Sequence, residues 1–445
     1  NNTTGTANVA VGRDALVNNT TASYNTAVGY TALFSNTASY NTALGQGAGY
    51  STTTSEANVY VGRDAGYYST TGTNTAVGAY ALVSTSGASP SGNSAFSYQA
   101  LNVCSGNFNT GLGYQALRSN TTASYNTAVG YQALYVNTTG TESVAVGHRA
   151  LTSQTTGRNT AVGFNAGQDI TTGTSNTFIG QEAGETTTYA NNNTAVGSHA
   201  LRYNVTGHTN VVVGGKAFYN NTSGQYNTAI GWGAGYDNTT GIQNVFLGIE
   251  AGQNNISGDR NIMIGRQAGN TLQTGDNNVC VGPGANVDSA SREGGVALGE
   301  GIGTFASNNS FRVKGEGGVY NTGNTSSWNT TSDRRIKKNI ADSTVGLSEI
   351  NQIQVRTFEY RTADEITDSD LQEYDKTQIA VNKSGTQVGC VAQELQEIIP
   401  SAVGTDDRGI HTVQDDEIKW HLIKAIQELS AKNDALEARI ATLEG

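Results

Sequence analysis

Few residues of this chain have the types and spacing of a reactive site, and the most suggestive ones lie in one short segment. Ser332 and Asp333 open a segment whose next residues are mostly cations, namely Arg334, Arg335, Lys337 and Lys338. A serine hydroxyl is a weak nucleophile unless a base takes its proton, and a lysine can do so only where burial or nearby cations lower its pKa. On a continuous helix Ser332 and Lys337 would lie about 140° apart, so this chemistry needs Ser332 before a helix or in a turn. Alternatively, Ser332 and Asp333 only cap a basic helix.

The other residue types that bind metals or catalyse reactions are scattered along the chain. Cys104, Cys280 and Cys390 form no CxxC pair, and we interpret them as small buried residues. The histidines show no paired ligand spacing; they are His148, His199, His208, His411 and His421. The acidic stretch 364–375 lacks the glycine and the terminal glutamate of an EF-hand. We therefore predict no cofactor and no metal site.

Charge and hydropathy exclude several classes of partner. The 445 residues contain 25 Lys+Arg and 36 Asp+Glu, a net charge of −11, so no basic surface is expected to neutralise nucleic-acid phosphates. No run of 18 apolar residues is present, so we predict no membrane insertion. The chain has a single Met, Met263, and no signal-peptide core at its start, from which we expect a fragment or a processed product.

The distribution of charge divides the chain in two. Residues 1–331 contain 12 Lys+Arg and 15 Asp+Glu, whereas the much shorter segment 332–445 contains 13 and 21. Two differently built parts are therefore expected to meet near residue 331.

A five-residue word, such as Asn126-Thr127-Ala128-Val129-Gly130, organises the first part. The residue that ends the word is called here the repeat glycine, and it is replaced by Ser97 in one copy. It stands at positions 12, 29, 45, 62, 78, 97, 113, 130, 147, 163, 180, 197, 214, 231, 248, 265, 282 and 299. The 18 copies are spaced by 16 or 17 residues, with a single spacing of 19 before Ser97. Such a period is typical of stacked repeats, each copy forming one structural unit.

The residue types within each repeat predict a coil of a parallel β-solenoid. The residue directly before the repeat glycine is always apolar, and the residue three before it is nearly always β-branched. The two share one face of a strand, while the residue between them is usually Ala. Asn stands four before the repeat glycine in 16 of 18 copies, failing only at Ser143 and Gly295, so we predict a hydrogen-bonded Asn ladder. Ala three residues after the repeat glycine, followed by Leu or Gly, predicts a second short strand. A coil with so thin a core is expected to need partners, which favours several chains side by side.

A heptad pattern marks the end of the chain. Leucines recur every seven residues at one position of the heptad, and Ile, Asn and Ile occupy the position three residues earlier. The predicted seam consists of Leu422, Ile426, Leu429, Asn433, Leu436, Ile440 and Leu443. A short coiled coil after a trimeric rod would have three strands; a helix packed on its own domain is the alternative.

The repeats have a known counterpart. The Asn-Thr-Ala-Val-Gly word followed by Ala resembles the head repeats of trimeric autotransporter adhesins, which form a parallel β-roll from three chains. This resemblance implies a homotrimer and a role in surface adhesion.

Three ordered blocks in the charged part resemble a second family. Ser332–Ile340, Val388–Glu394 followed by Pro400, and Leu422–Leu429 are similar to the S74 peptidases, the C-terminal intramolecular chaperones of bacteriophage tail fibres, tailspikes and endosialidases. That resemblance implies trimer assembly followed by self-cleavage. Carried over, the cut falls between Thr331 and Ser332, with Ser332 as nucleophile, Lys337 as its base and Asp333 in an assisting position.

We therefore expect a mainly β protein in three parts: a trimeric parallel β-solenoid (β-roll) over 1–303, a junction over 304–331, and an α+β chaperone domain over 332–445 that ends in a coiled-coil helix. The expected function is that of a phage tail-fibre protein in the virion, assembled in the host cytoplasm, whose peptidase acts once on itself and on no external substrate. Its expected partners are two further copies of the chain, a bacterial surface glycan or protein receptor, and other tail proteins bound through an N-terminal region outside this chain. The alternatives are a bacterial trimeric surface adhesin and a glycan-degrading tailspike, although the solenoid offers no distinctive pair of acids for glycoside cleavage.

Overall fold

The structure is a computed structural model that describes residues 2–86, 89–301, 311–313, 340–367, 385–405 and 410–444. The chain divides into two compact units: Asn1–Gly303 with Asn308–Arg312, and Thr304–Ser307 with Val313–Gly445. The described part of the first unit is built from short strands and turns, and that of the second from helices and two small sheets.

Eighteen strands of three residues, β1 to β18, form the first unit, one in each repeat, and each ends directly before the repeat glycine. In order they are Val9–Val11, Thr26–Val28, Thr42–Leu44, Val59–Val61, Thr75–Val77, Ser94–Phe96, Thr110–Leu112, Thr127–Val129, Val144–Val146, Thr160–Val162, Thr177–Ile179, Thr194–Val196, Val211–Val213, Thr228–Ile230, Val245–Leu247, Ile262–Ile264, Val279–Val281 and Val296–Leu298. A further strand of the same sheet, β19, spans Phe311–Val313.

Each strand of this unit pairs in parallel with the strand of the next repeat. The register is constant, so that equivalent residues lie side by side, as in the pairing of Thr194 with Val211 and of Ala195 with Val212. One strand per repeat, stacked in parallel, is the arrangement of a β-solenoid. The predicted parallel β-solenoid is therefore confirmed.

In each strand the middle residue is buried inside the coil, and the residues on either side of it face outwards. In β12, Ala195 is fully buried, whereas Thr194 and Val196 are partly exposed. The same alternation holds from β2 to β18. Because side chains of a strand alternate between its two faces, the inside of the coil is lined mainly by Ala, and the β-branched residues form an outward face.

The segment after the repeat glycine is a turn in every described coil, so the prediction of a second strand is wrong. Residues two and four after the repeat glycine have left-handed backbone angles, with φ of 54° at Gln132 and 52° at Leu134. An extended strand needs negative φ at each residue, so this alternation excludes one. The segment still bonds to its neighbours, since the Leu134 amide donates to the Ala150 carbonyl over 3.0 Å.

Inside the coil, a large residue at one inward position is matched by a small residue at the position beside it. Leu134 is fully buried, and a buried Leu stands at the equivalent position of eight coils in all. Phe178 replaces this inward Ala in β11, and glycines then stand in the Leu position of its own coil, Gly184, and of the preceding coil, Gly167. A Cβ at Gly184 would collide with the Phe178 ring, and one at Gly167 would lie 2.8 Å from it. Tyr60 and Phe246 are flanked by glycines in the same way.

A ladder of buried asparagines runs along the solenoid, as predicted. The Asn193 amide donates to Oδ1 of Asn176 over 3.0 Å, and Oδ1 of Asn193 accepts from the Asn210 amide over 3.0 Å. A second Asn ladder, seven residues after the repeat glycine, was not predicted, although the recurrence of Asn there was visible. In it Nδ2 of Asn221 donates to Oδ1 of Asn204 over 2.7 Å, and Asn238 and Asn255 continue the series.

The second unit has a small core between helices and strands. Its helices are α1 (Leu347–Ile350), α2 (Ala392–Ile398) and α3 (Asp415–Glu444), with 3-10 turns at Ala363–Glu365 and Pro400–Ala402. Its strands form two antiparallel pairs, β20 (Arg356–Phe358) with β21 (Gln387–Gly389) and β22 (Val403–Thr405) with β23 (His411–Val413). Leu395, Ile399 and Ala402 are buried at the centre, surrounded by partly buried apolar residues that include Val345, Ile350, Val413 and Ile418.

Candidate functional site

The predicted cleavage site lies outside the described residues. Thr331, Ser332, Asp333 and Lys337 all fall in the segment before Ile340, where the description of the second unit resumes. Their roles as scissile residue, nucleophile, assisting acid and base therefore stay predictions from the sequence.

The middle block of the proposed chaperone domain, Val388–Glu394, connects β21 to α2. Gly389 lies against the Phe358 ring on the partner strand, where a Cβ would come within 3.3 Å of the ring. Glu394 in the first turn of α2 accepts hydrogen bonds from Arg356 of β20, over 2.9 Å from Nη2 and 3.2 Å from Nε. This hydrogen bond and the carboxylate charge raise the pKa of Arg356. The block therefore ties the small sheet to the helix that supplies the buried Leu395.

One face of α3 attaches this helix to its own domain. Ala425 is buried, and Glu428 accepts a hydrogen bond of 2.9 Å from the Leu347 amide at the start of α1. Seven residues before Glu428, Nδ1 of His421 lies 3.2 Å from the Ser343 hydroxyl. Ile418 belongs to the apolar surround of the core. Residues three or four apart share a helix face, so these four residues define the inward side of α3.

The predicted coiled-coil seam occupies a different face of α3, and all of its residues are exposed. Ile426 and Leu429 beside the domain are 59% and 56% exposed, and Leu443 near the end is 82% exposed. The same holds for Leu422, Asn433, Leu436 and Ile440. The packing of α3 on its own domain therefore accounts for the contacts of its inward residues. Within the described residues, the heptad seam is left unpaired. Association of the seam with other chains stays a prediction.

The outer surface of the solenoid has columns of stacked aromatic rings that the sequence analysis missed. Tyr98, Tyr114, Tyr131, His148 and Phe164 each follow a repeat glycine directly, and their ring centroids are spaced by 5.0 to 5.4 Å. Equivalent residues of successive coils lie one strand spacing apart, which places such rings face to face. Their recurrence at the period of the repeat could have revealed them.

His199 takes part in a group of ion pairs, and Cys104 and Cys280 are buried. Nε2 of His199 lies 3.1 Å from Glu182, which also pairs with Arg202, and Arg202 in turn contacts Glu185. Burial raises the pKa of Cys104 to about 11 and that of Cys280 to about 12, which leaves both thiols protonated and unreactive at neutral pH. Among the described residues, no cluster of three or more His, Cys, Asp or Glu side chains could hold a metal ion.

No helix in the described part of the chain has both the length and the apolar character needed to span a bilayer.

Comparison with protein families identifies the C-terminal part. Residues 332–404 match the family model of the S74 peptidases, described as the chaperone of endosialidase. The C-terminal part of the chain is therefore similar to the S74 chaperone domains. The match covers the first two of the three sequence blocks and confirms the resemblance to the S74 peptidases, whereas Leu422–Leu429 lies beyond it. The S74 family implies self-cleaving intramolecular chaperone activity. The match begins at Ser332 and includes the α2 segment. A search of curated proteins found no match to this chain.

Proposed function

We propose that this chain is a segment of a bacteriophage tail fibre, carried by the virion after assembly in the host cytoplasm, in which the S74 domain assembles three chains and then cleaves itself off. The observation that carries the proposal is the order of the two parts: a long β-solenoid precedes an S74 chaperone domain along the chain. The rod would bind the bacterial surface, and the chaperone would act once, on its own chain.

The outward face of the sheet supports assembly from several chains. The residue directly before the repeat glycine is apolar throughout, and Val11, Leu44, Leu112 and Val213 are among those exposed. A row of apolar side chains along 18 coils is a far larger exposed apolar surface than a soluble monomer usually carries. We assign this face to contact with the two other chains, which would bury it at the trimer axis.

The exposed seam of α3 supports the same assembly. Ile and Leu at alternating heptad positions favour association of helices, and the polar Asn433 can fix their register. Because α3 is held to its domain by Ala425 and Glu428 on another face, the seam can pair between chains while each domain keeps its own core. The helix would thus bring three chains together.

Cleavage would follow from the residues that open the S74 domain. The Ser332 hydroxyl attacks the Thr331 carbonyl, Lys337 takes the hydroxyl proton, and the departing Ser332 nitrogen receives a proton in return. Water then hydrolyses the ester between Thr331 and Ser332. A neutral Lys337 requires burial and the neighbouring cations Arg335 and Lys338, which lower its pKa. An unfolded chain lacks this environment, so cleavage would occur only after assembly.

Intact-mass measurement of freshly made protein tests the proposal. The unmodified chain should give two fragments, 1–331 and 332–445, whereas Ser332→Ala and Lys337→Ala should each give a single chain of 46.3 kDa. The matched controls are Ser343→Ala, which changes another serine of the domain, and Lys338→Ala, which changes the adjacent lysine. Both controls should still be cleaved, with Lys338→Ala slowed because one cation is lost.

Cleavage that persists in Ser332→Ala, or an N-terminal sequence that places the cut elsewhere, would remove the proposed mechanism. The solenoid and the S74 match would stand unchanged in that case.

A further inference from the structure

A pocket of about 480 Å³ spans the second to the fifth coil of the solenoid. It is lined by residues that follow the repeat glycines in the sequence. Tyr30 and Gln46 line it directly after their repeat glycines, and Tyr68 lines it six residues after the next one. Gly47 also lines it, at a position where the neighbouring coil carries Asp64. A Cβ at Gly47 would collide with the Asp64 carboxylate, so this carboxylate occupies the space that a side chain at position 47 would need.

The aromatic rings of the pocket form a wall along the solenoid. Phe34, Tyr50 and Tyr67 stack on one another with centroid distances of 4.9 and 4.8 Å, which sets the direction of the column. The Tyr68 ring stands at 78° to the Tyr67 ring with a centroid distance of 4.7 Å, so the plane of Tyr68 runs along the column. Tyr68 is 37% exposed. An extended ligand lying along the solenoid would therefore meet a flat, apolar ring face.

The polar groups around this wall can bind hydroxyls. Oδ2 of Asp64 accepts a hydrogen bond of 3.3 Å from Nε of Arg63, while its Oδ1 has no hydrogen-bond partner among the described residues. Thr31 and Gln46 also line the pocket and add a hydroxyl and a side-chain amide. A carboxylate oxygen accepts strong hydrogen bonds from hydroxyl groups. The lining therefore combines a ring face with several convergent donors and acceptors, which is the general composition of a small-molecule site.

The charges of the pocket favour a neutral ligand. Asp64 is paired with Arg63, so the two side chains add no net charge. The Arg63 guanidinium also lies 5.0 Å from the centroid of the Tyr80 ring, in the position that a bound cation would take over an aromatic face. Neither an anion nor a cationic ligand would find an uncompensated opposite charge here. A polyhydroxylated neutral molecule suits the site better.

We propose that this pocket binds a neutral oligosaccharide of the bacterial surface, with the apolar face of one sugar ring on Tyr68 and adjacent hydroxyls on Asp64. The bacterial origin of the sugar rests on the receptor-binding role proposed above. The pocket adds a binding site and a class of ligand to that role. It is independent of the cleavage chemistry and of the strand face that we assign to the trimer contact.

Binding to an array of oligosaccharides tests this site. The full chain is applied to neutral and acidic fragments of bacterial O-polysaccharides, with lysine-rich peptides on the same array, and the retained fragment is titrated by calorimetry. Tyr68→Ala and Asp64→Asn should each weaken binding about tenfold, the loss expected for a ring contact or a charge-assisted hydrogen bond. The matched control is Tyr203→Ala, because Tyr203 stands at the same position of its coil and is also 37% exposed. Its affinity should equal that of the unmodified chain.

Three results would overturn the proposal: retention of acidic fragments or peptides alone, no retention of any neutral fragment, or affinities unchanged in Tyr68→Ala and Asp64→Asn. Chain mass and trimer mass, measured on the same samples, report on the proposed assembly and cleavage. A chain that is trimeric and cleaved but binds no sugar would reject this site alone.

Discussion

The buried asparagines are the residues on which the stacking of coils depends most directly. Asn193 illustrates the pattern, because its Nδ2 donates to Oδ1 of Asn176 over 3.1 Å and to the Gly207 carbonyl over 2.9 Å, while its Oδ1 accepts from the Asn210 amide. Each asparagine thus satisfies backbone groups of adjacent coils that have no access to water. A buried polar group left without its partner costs about 1–3 kcal/mol, so the ladder is a large part of what fixes the spacing of coils.

The Asn ladder has one internal break, at Ser143, where other groups must supply the hydrogen bonds of the missing asparagine. At Ser143 the hydroxyl accepts from the Asn159 amide over 3.3 Å and from Nε2 of Gln154 over 2.9 Å. Oε1 of Gln154 in turn accepts from Nδ2 of Asn159 over 2.9 Å. A glutamine eleven residues later therefore provides the amide that Ser143 lacks, and both residues are buried.

Asn193→Ala should loosen the coils on either side of it. The substitution leaves the Asn210 amide without its acceptor, whereas the Gly207 carbonyl keeps a hydrogen bond from Nδ2 of Asn204. Hydrogen exchange at Asn210 should therefore become about tenfold faster or more. Exchange measured by mass spectrometry or NMR checks this, with the exposed Asn18→Ala as control. Equal exchange in both variants would show that the ladder contributes little to stacking.

At the scale of the coil, the sizes of inward residues are matched between neighbouring positions. Gly184 and Gly233 separate two effects of glycine, because both have left-handed φ, 60° and 63°. A Cβ at Gly184 would collide with the Phe178 ring, whereas one at Gly233 would meet only the Glu250 side chain at 3.6 Å. The backbone strain of a substitution is therefore similar at the two positions, and the packing differs.

Gly184→Ala should accordingly destabilise the solenoid by about 1–3 kcal/mol more than Gly233→Ala, since only the first overpacks the coil. Denaturant unfolding followed by tyrosine fluorescence measures the difference. In a Phe178→Ala background, Gly184→Ala should cost less than it does alone, because the ring that causes the clash is absent. Similar stabilities for the two single variants would contradict size matching as the reason for these glycines.

The face of α3 that carries the seam has its own test. Ile426→Asp should prevent association of the chains while leaving the domain folded, because Ile426 is 59% exposed and makes no part of the domain core. Ile423→Asp is the matched control, since Ile423 is 47% exposed on the same helix but lies outside the seam. Native mass spectrometry measures the state of association, and circular dichroism measures helix content. Unaltered association of Ile426→Asp would exclude the seam as a contact between chains.

The sequence predicted the elements of the solenoid well where residue type and period coincide. The strand before each repeat glycine, the parallel stacking and the first Asn ladder all follow from the Asn-Thr-Ala-Val-Gly word. The segment after the repeat glycine was predicted wrongly because Ala-Leu pairs such as Ala133-Leu134 do not reveal left-handed backbone angles, which non-glycine residues seldom adopt. The S74 domain was predicted from a resemblance, and the pairing of Arg356 with Glu394 depends on contacts between segments that no local pattern contains.

At the scale of the whole molecule, the repetition that makes the solenoid regular also makes its assembly ambiguous. Neighbouring repeats present nearly the same outward residues, so chains displaced by one coil would make almost the same contacts. The contacts that set this register join residues of different chains, and nonlocal contacts of this kind are slow to form. A chaperone domain that joins three chains at one end would fix the register, and its removal by cleavage would leave the rod trapped in that register.

Sedimentation equilibrium of the full-length Ser332→Ala chain tests whether three chains assemble, because this variant should keep the S74 domain attached. We expect one species with three times the 46.3 kDa chain mass at micromolar concentration. Loss of residues 332–445 from the gene should abolish that species and yield insoluble chains. A folded, soluble species with the mass of one chain would contradict the account.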